Sequence, residues 1–299
     1  MRYDGGHKRD RFLVDTFGRF VEWVPVCPEV EAGFGTPRES MRLVQADAGP
    51  RLITVRSGQD VTGRLQTAVS SRIQTLPAEQ LSGYILKRSS PSCGLMRVKV
   101  YNAAGTSTTA GQGLFAAALT ERFPFLPVEE EGRLSDPRIR ENFIERVFAY
   151  WRLRALFAKG WTVASLMRFH AAHKLILMAH SPAGATSLGR VAAEARSAGR
   201  TSAEQQYSDG FMRTLALMAT TRRHTNVLQH VAGYFKRLLD RDSREELAAT
   251  IEDYRLGLVP LIVPITLIRH HVRVHDVAYL AEQLYLAPHP KELMLRNHT

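Results

Sequence analysis

The sequence predicts two folds in one chain: an α/β domain with a mainly parallel, Rossmann-like sheet, followed by an all-α domain. In the first 135 residues, β-branched and aromatic runs alternate with stretches of helical periodicity, which favours a parallel sheet covered by helices. After Gly160, nearly every segment repeats its apolar residues at helical spacing. We therefore expect domains at 1–135 and 161–299, joined by a linking helix at 136–160.

Each element has its own local signal. Strands are expected where β-forming residues run together, at 20–26, 52–55, 83–87 and 97–101. A helix at 68–76 and another at 114–122 complete this part, the second after a Gly-, Thr- and Ser-rich loop at 105–113. An acidic, turn-rich boundary at 127–137 ends in Asp136-Pro137, an N-cap residue followed by proline at the first helical position. Further helices are expected at 165–180, 212–222, 225–239, 244–256 and 277–286.

Charge is divided unevenly between the two parts. The 299 residues include 40 Lys+Arg and 29 Asp+Glu, a net charge of +11. Residues 1–135 have 17 basic and 14 acidic side chains, a net of +3, whereas residues 136–299 have 23 and 15, a net of +8. This balance predicts an acidic partner, which charge alone leaves open between nucleic acid and an anionic membrane.

Two cysteines exclude a disulfide scaffold and indicate a reducing compartment. No apolar run reaches the ~20 residues that span a bilayer, and the N-terminus has no apolar signal core. We therefore expect a cytoplasmic protein with no membrane partner.

Cys27 and Cys93 each come at the turn after a predicted strand, in the sequences Cys27-Pro28-Glu29 and Ser89-Ser90-Pro91-Ser92-Cys93-Gly94. Ligands of parallel sheets bind beyond such strand ends, where backbone N–H groups stabilise a thiolate or the sulfides of an iron–sulfur cluster. A separation of 66 residues between only two cysteines excludes a four-ligand structural zinc site. The alternative is that both are buried structural residues, which is common for this residue type.

Several multi-residue motifs resemble a known family. The DUF523, thiouracil desulfurase-like, domain is resembled by Arg2-Tyr3-Asp4-Gly5-Gly6-His7-Lys8, Val26-Cys27-Pro28-Glu29-Val30, Gly35-Thr36-Pro37-Arg38-Glu39 and Ser90-Pro91-Ser92-Cys93-Gly94. The DUF1722 domain is resembled by His170-Ala171-Ala172-His173-Lys174, Leu177-Met178-Ala179-His180-Ser181, Asn226-Val227-Leu228-Gln229-His230, Gly233-Tyr234-Phe235-Lys236 and the residues 284–293. Together the chain resembles the tRNA 4-thiouridine desulfidase family.

The resemblance implies a [4Fe–4S] cluster held by three cysteine thiolates, with the fourth iron open to the sulfur of the substrate. Cys27 and Cys93 match two of these metal ligands. The third family cysteine precedes the Arg-Tyr-Asp-Gly motif. We therefore expect that the first strand of the sheet, with this cysteine, lies upstream of Met1, and that Met1 is an internal GTG codon.

The resemblance also implies the catalytic residues. Glu29 matches the family's catalytic carboxylate, and Ser90 matches a serine that orients the base or the attacking water. The plain alternatives are an N-cap or surface carboxylate and a turn hydroxyl. Asp4, Arg38 and Lys87 are weaker candidates, and Ser92 is expected to be structural. The 105–113 loop is expected to be a turn more than a phosphate cradle, because it lacks the P-loop lysine.

Basic residues of the helical part are candidate phosphate contacts, and such binding weakens with salt. These are Lys174, Arg222, Arg223, Lys236, Arg237 and Arg269. The alternative is an ordinary solvated helix face. His170, His173 and His180 are expected to pack or form hydrogen bonds more than to bind metal, and Tyr234 and Phe235 to lie in the core more than to stack on bases.

The predicted function is iron–sulfur-dependent, non-redox desulfuration of 4-thiouridine in tRNA to uridine, with release of sulfide and no evident protein partner. Two alternatives remain: a desulfidase of free thiouracil, and a non-catalytic RNA-binding protein, since only two of the three cluster cysteines are present.

Overall fold

The computed structural model describes residues 4, 6, 9–158 and 160–298 of the chain. The chain divides into two compact units, Met1–Ser135 and Asp136–Thr299.

The first unit contains two small sheets. Its strands are β1 (Met41–Val44), β2 (Arg51–Thr54), β3 (Tyr84–Leu86), β4 (Val98–Tyr101), β5 (Ser107–Gly111) and β6 (Val128–Glu130). One sheet has the order β2-β1-β4-β5, and the other joins β3 to β6. In the larger sheet, β1 runs parallel to β4, while the β1–β2 and β4–β5 pairs are antiparallel. The β3–β6 pair is parallel and aligns Tyr84 with Val128.

Three helices accompany these sheets: α1 (Pro28–Glu31), α2 (Thr62–Thr75) and α3 (Leu114–Arg122). On α2, Leu65, Val69 and Ile73 recur every four residues and are buried, so one stripe of this helix faces the core. Helices α2 and α3 pack against each other. Burying each such aliphatic side chain contributes about 1.5–3 kcal/mol, so this stripe stabilises the position of α2 in the unit.

The prediction of a mainly parallel, Rossmann-like sheet is not confirmed, because the four-stranded sheet has one parallel and two antiparallel pairs. The strand expected at 20–26 is absent: this stretch has no regular structure, and Trp23 is 47% exposed. The loop expected at 105–113 contains β5, an edge strand of Ser, Thr, Ala and Gly. Strands β1 and β6 were not predicted, and β6 lies in the stretch expected to be an acidic boundary turn.

The second unit is helical, as predicted, but the single helix expected at 212–222 is wrong, because residues 217–220 separate two helices there. Its helices are α4 (Pro137–Ala158), α5 (Val163–His180), α6 (Pro182–Ala198), α7 (Arg200–Ala216), α8 (Thr221–Ala232), α9 (Arg241–Arg255), α10 (Ile262–Val274) and α11 (Ala278–Ala281). Local sequence sets several of the starts. Asp136 Oδ1 accepts hydrogen bonds from the backbone N–H of Arg138 and Ile139 (2.8 and 3.1 Å), as expected of its N-cap position. Within the described ranges, no helix has the length and hydropathy needed to cross a bilayer.

A buried ionic network joins four elements of this unit. Arg296, near the C-terminus, donates from Nε to Glu141 (3.1 Å) and from Nη2 to Glu145 (3.1 Å), both on α4. His180, at the end of α5, donates from Nε2 to Glu145 (2.7 Å), and its Nδ1 contacts the carbonyl of Leu217. Burial opposes ionisation of Glu145, but His180 and Arg296 outweigh it and lower the pKa of this carboxyl. The histidine expectation is confirmed for His173 and His180, which are buried and hydrogen-bonded.

Candidate active site

Glu29 lies in the first turn of the short helix α1. Cys27 is the N-cap residue of this helix, with extended backbone, and Pro28 occupies the first helical position, where its missing N–H costs nothing. The turn that follows leaves Glu29 only 8% exposed. A buried carboxylate needs several hydrogen-bond donors, and the surrounding residues supply them.

The second part of the site is the turn Ser90-Pro91-Ser92-Cys93-Gly94, which we call the serine turn. The N–H of Gly94 donates to the carbonyl of Ser90 (2.8 Å), which closes the turn. Inside it, Ser90 Oγ accepts hydrogen bonds from the N–H groups of Ser92 (3.2 Å) and Cys93 (3.1 Å). Both lone pairs of this hydroxyl are therefore in use, and only its proton remains to be donated.

The N-terminus of α3 fastens this turn in place. The N–H of Gly113 donates to Gly94 O and that of Phe115 to Ser92 O, each at 2.8 Å, and the N–H of Leu114 donates to Pro91 O at 3.3 Å. The donors at this helix end are thus satisfied by protein carbonyls. These N–H groups are therefore already occupied and are not free to hold a phosphate, which was the lesser of the two expectations for the 105–113 loop.

Carboxylates of β6 and its following residue secure both sides of the same turn. Glu131 Oε2 accepts from the N–H of Arg88 (2.7 Å), before the turn, and Glu130 Oε1 accepts from the N–H of Leu95 (2.8 Å), after it. Glu130 is 2% exposed. The acidic run that was predicted as a boundary turn therefore anchors the site.

Helix α1 and the serine turn meet at the Glu29 carboxylate. Its Oε1 accepts a hydrogen bond from Ser92 Oγ (2.8 Å) and lies 3.5 Å from Ser90 Oγ. Its Oε2 accepts from Arg38 Nε (2.7 Å) and also contacts Arg38 Nη2. The structure therefore brings Glu29 and Ser90 together, and adds Ser92 and Arg38. These four side chains meet through contacts between segments that are separate in the sequence. Local sequence patterns do not reveal such contacts.

The two cysteines are free, half-buried thiols that lie close enough to influence each other electrostatically. Burial raises the pKa of the Cys93 thiol, and the charges of Glu29 and Cys27 add to this rise, while a hydrogen bond from Ser90 partly offsets it. A metal ion bound at this thiol would have to displace its proton. The pKa of Tyr84 on β3 is also raised, first by burial and then by Cys93.

The two cysteines of this chain match a cluster held by three thiolates only in part. Cys27 is the N-cap residue of the helix that contains Glu29, and Cys93 follows Ser92, whose Oγ donates to Glu29 Oε1 at 2.8 Å, so both cysteines flank this carboxylate as two ligands of one cluster would. The chain contains only these two cysteines. Among the described residues, no group of three or more His, Cys, Asp or Glu side chains is arranged to hold a metal ion. Two cysteines can therefore supply two of the three thiolates of such a cluster.

The weaker candidates have different surroundings. Arg38 lies in the site, as described, whereas exposed Lys87 pairs with Glu131. Asp4 is exposed, and its Oδ1 accepts from the N–H of Gly6 (3.0 Å). Of the first motif, Arg2, Tyr3, Gly5, His7 and Lys8 lie outside the described residues.

The candidate RNA contacts lie on several helices of the second unit. Lys174, Arg222, Lys236, Arg237 and Arg269 are exposed, and none of them forms an ion pair with another described residue. Arg223 is half-buried instead, and its Nη1 donates to the carbonyl of His180 (2.7 Å) at the end of α5. Phe235 is fully buried, as expected, whereas Tyr234 is 40% exposed and stacks on Tyr279 (ring centroids 5.3 Å apart).

Gly113 packs closely against the backbone of the serine turn. A Cβ atom at this position would lie 2.5 Å from the carbonyl carbon and oxygen of Ser92 and 2.7 Å from Cys93 N, all backbone atoms. Gly113→Ala is therefore expected to lower the free energy of unfolding by about 1–3 kcal/mol, as overpacking does. Urea denaturation measures the change. The control is Gly63→Ala on α2, where a Cβ meets nothing within 4 Å and stability should rise by up to about 1 kcal/mol. Equal effects of the two changes would contradict close packing at Gly113.

Comparison with known proteins agrees with this arrangement. A family model described as 2-thiouracil desulfurase matches residues 1–131, and one described as a protein of unknown function, DUF1722, matches residues 174–290. The uncharacterized protein YbgA of Escherichia coli (strain K12) is 34% identical over 163 residues, which cover 54% of this chain and 95% of YbgA. The uncharacterized protein YbbK of Bacillus subtilis (strain 168) is 32% identical over 128 residues, which cover 40% of this chain and 82% of YbbK.

One solved structure, a [4Fe-4S]-dependent thiouracil desulfidase named TudS, is 29% identical. The match covers 45% of this chain and 84% of TudS, with a TM-score of 0.35, too low to show a common fold. Family membership therefore rests on the sequence matches alone. The chain belongs to the 2-thiouracil desulfurase family through residues 1–131 and to the DUF1722 family through residues 174–290.

Proposed function

We propose that this chain is an iron–sulfur-dependent desulfidase that converts 4-thiouridine in tRNA to uridine and releases sulfide. The observation that carries the proposal is the convergence of the Glu29 carboxylate and the Ser90 hydroxyl beside the thiols of Cys27 and Cys93. Membership of the 2-thiouracil desulfurase family supports a thiolated pyrimidine as the substrate class.

The reaction balances without any transfer of electrons. Water supplies the oxygen that replaces sulfur at the thiocarbonyl carbon, and sulfur leaves with the two protons of water as hydrogen sulfide. A bound cluster, with Cys27 and Cys93 as two of its ligands, would supply an open iron that polarises the carbon–sulfur bond as a Lewis acid.

Glu29 and Ser90 have separate tasks in this scheme. Glu29 Oε1 takes a proton from the attacking water and returns it to the ring nitrogen or the leaving sulfur, which is general acid–base catalysis. When the pyrimidine binds, Ser90 Oγ turns its one proton from Glu29 Oε1 and Cys93 to the ring and so orients it. Because both lone pairs of Ser90 Oγ are in use, this hydroxyl is a poor base, and proton transfer is left to Glu29.

The basic charge of the second unit supports tRNA, and not a free base, as the substrate. Residues 136–299 have a net charge of +8, and five exposed cations there are without an ion-pair partner in the described part of the chain. Such side chains neutralise phosphates and release counterions. A free base has no phosphates, so these cations would contribute nothing to its binding.

Two other functions have specific observations in their favour. The matching family model is described as a 2-thiouracil desulfurase, which favours free thiouracil as substrate. The presence of only two cysteines favours a non-catalytic RNA-binding protein, should no third ligand be supplied.

Anaerobic reconstitution with iron and sulfide tests these alternatives. Dithiothreitol is included because its thiolate can occupy a third ligand position. The protein is then given tRNA containing 4-thiouridine or free thiouracil, and sulfide release and loss of the thiocarbonyl absorption are followed. We expect turnover of the tRNA. A protein that binds cluster and leaves the thiolated tRNA intact contradicts the proposal, and one that turns over thiouracil equally well favours the free-base alternative.

Charge reversal separates tRNA from free base within the same assay. Lys236→Glu/Arg237→Glu is expected to raise KM for tRNA about 10-fold or more and to reduce the salt dependence of binding by roughly two counterions. The rate with thiouracil should not change. The control is Arg241→Glu/Arg255→Glu, an equal charge change at exposed α9 residues that are already paired with Glu245 and Glu252. Equal effects of both double variants would indicate general charge attraction only.

A further inference from the structure

We infer that Arg38 is a positioning residue that fixes Glu29 with Oε1 toward the reaction and Oε2 away from it. The effect of Arg38 on catalysis rests on the proposed function. Its effect on the position of Glu29 does not, because that depends only on hydrogen bonds within this chain.

Both donors that Arg38 directs at Glu29 contact the same oxygen. Nε donates to Oε2 at 2.7 Å, and Nη2 contacts Oε2 as well. The Arg38 and Glu29 side chains are 7% and 11% exposed, so water competes little for this ion pair. Charge-assisted hydrogen bonds from a guanidinium are among the strongest and most directional in proteins.

The guanidinium is itself fixed by the loop that precedes it. Its third nitrogen, Nη1, donates to the carbonyl of Gly35 (3.0 Å) and to Thr36 Oγ1 (3.3 Å). All three nitrogens of Arg38 therefore have partners, and the plane of the group is defined by the loop on one side and the carboxylate on the other. A planar fork is needed for this arrangement, which a lysine ammonium does not reproduce.

The consequence for Glu29 is that its two oxygens are not equivalent. Oε2 is occupied by Arg38. Oε1 accepts one hydrogen bond from Ser92 Oγ (2.8 Å) and faces Ser90 Oγ at 3.5 Å, longer than a normal hydroxyl hydrogen bond. Oε1 is thus the oxygen with room for a further partner, and it is the one beside the hydroxyl proposed to bind the pyrimidine. We assign proton transfer to Oε1 and the fixing of its position to Arg38 and Ser92.

Two Arg38 variants of the cluster-loaded protein test the assignment. Arg38→Ala is expected to lower kcat about 100-fold, the usual effect of a misplacement of about 1 Å, with KM changed less than threefold and the cluster absorption unchanged. Guanidinium ion should restore part of the lost kcat, and urea, which is neutral and similar in shape, should not. Arg38→Lys should remain slow.

The matched control is Arg64→Ala. Arg64 also donates to the chain that follows α1, from Nε to Ala32 O and from Nη2 to Gly33 O, each at 2.7 Å, and it is not hydrogen-bonded to Glu29. Its loss should lower stability while keeping kcat within about threefold, with no response to guanidinium. An effect of Arg64→Ala on kcat equal to that of Arg38→Ala would show that both arginines only support the loop, and would overturn the inference.

Crystal structures of cluster-free wild type and Arg38→Ala supply a readout that does not depend on activity. We expect Glu29 to leave Ser92 in the variant. If Glu29 keeps its position, or if kcat stays within twofold, the inference is wrong. If the cluster-loaded wild type is inactive on thiolated pyrimidines, the proposed function fails, while the position of Glu29 in the two crystals still decides the role of Arg38.

Discussion

Glu29→Gln is expected to lower kcat for desulfuration by about 10²–10⁴-fold, the usual contribution of a positioned general acid–base group. The amide has the shape of the carboxylate: its oxygen can still accept from Arg38 at the Oε2 position, while its NH2 group at the Oε1 position faces the Ser92 hydroxyl, which can turn to accept. It cannot take a proton from water. Iron content and visible absorption should therefore stay at wild-type values while turnover is lost, as measured after anaerobic reconstitution.

Two further variants separate this effect from general damage. Glu31→Gln lies on the same short helix, where Glu31 pairs with Arg72 Nε at 3.4 Å, and it should keep kcat. Cys27→Ser removes a proposed thiolate ligand and should lose the cluster and activity together. If Glu29→Gln remains within about tenfold of wild-type kcat, Glu29 is not the acid–base group, given the contribution expected of one.

The second large effect is on stability. Arg296→Ala leaves Glu141 and Glu145 buried without their shared cation, and breaking such a pair from one side costs about 3–5 kcal/mol. Arg296 is 4% exposed, and the two carboxylates are 8% and 5% exposed, so solvent does not replace it. Whole domains are stable by only about 5–15 kcal/mol. Urea denaturation followed by far-ultraviolet circular dichroism should show an early loss of the helical unit.

The pH dependence of this loss has a defined sign. The folded-state pKa of Glu145 lies below its unfolded value, so its ion pairs contribute fully above about pH 4.3, the ordinary value for Glu, and less as pH falls below it. The difference between wild type and Arg296→Ala should therefore narrow in acid. As a control, Arg255→Ala removes an exposed pair with Glu252 and should leave the free energy of unfolding nearly unchanged, because solvent screens such pairs. A cost for Arg296→Ala that is equally small, or independent of pH, would contradict the importance of the network.

Local signals predicted the helices better than the strands. The bounds expected for α3 are those observed, since Gly113 and Pro124 flank a regular apolar pattern, and Asp136-Pro137 starts α4 as expected. The Ser-Thr-Thr-Ala-Gly sequence of β5 was predicted as a loop because an exposed edge strand needs no apolar alternation. Conversely, the apolar run at 20–26 was predicted as a strand, but no neighbouring strand pairs with it among the described residues.

The candidate site was predicted in part. Motif resemblance indicated Glu29, Ser90 and the two cysteines, and the structure places all four close together. It did not indicate Arg38 as the partner of Glu29 or Glu130 as an anchor of the serine turn. Both depend on tertiary contacts, in which a carboxylate meets a donor 9 or 35 residues away in the chain. No periodicity encodes contacts of that kind.

Residues of the candidate site are far apart in the sequence, which affects when the site forms during folding. The hydrogen bond from Ser92 to Glu29 closes a loop of 63 residues, and that from Arg88 to Glu131 closes one of 43. Contacts so distant in sequence form slowly, because the entropy of closing each loop must be overcome before the contact stabilises anything. The α3 and α4 helices can appear early from local interactions, whereas the carboxylate, the hydroxyls and the thiols come together only when the whole first unit has folded. The candidate site is therefore expected to assemble late in the folding of the first unit.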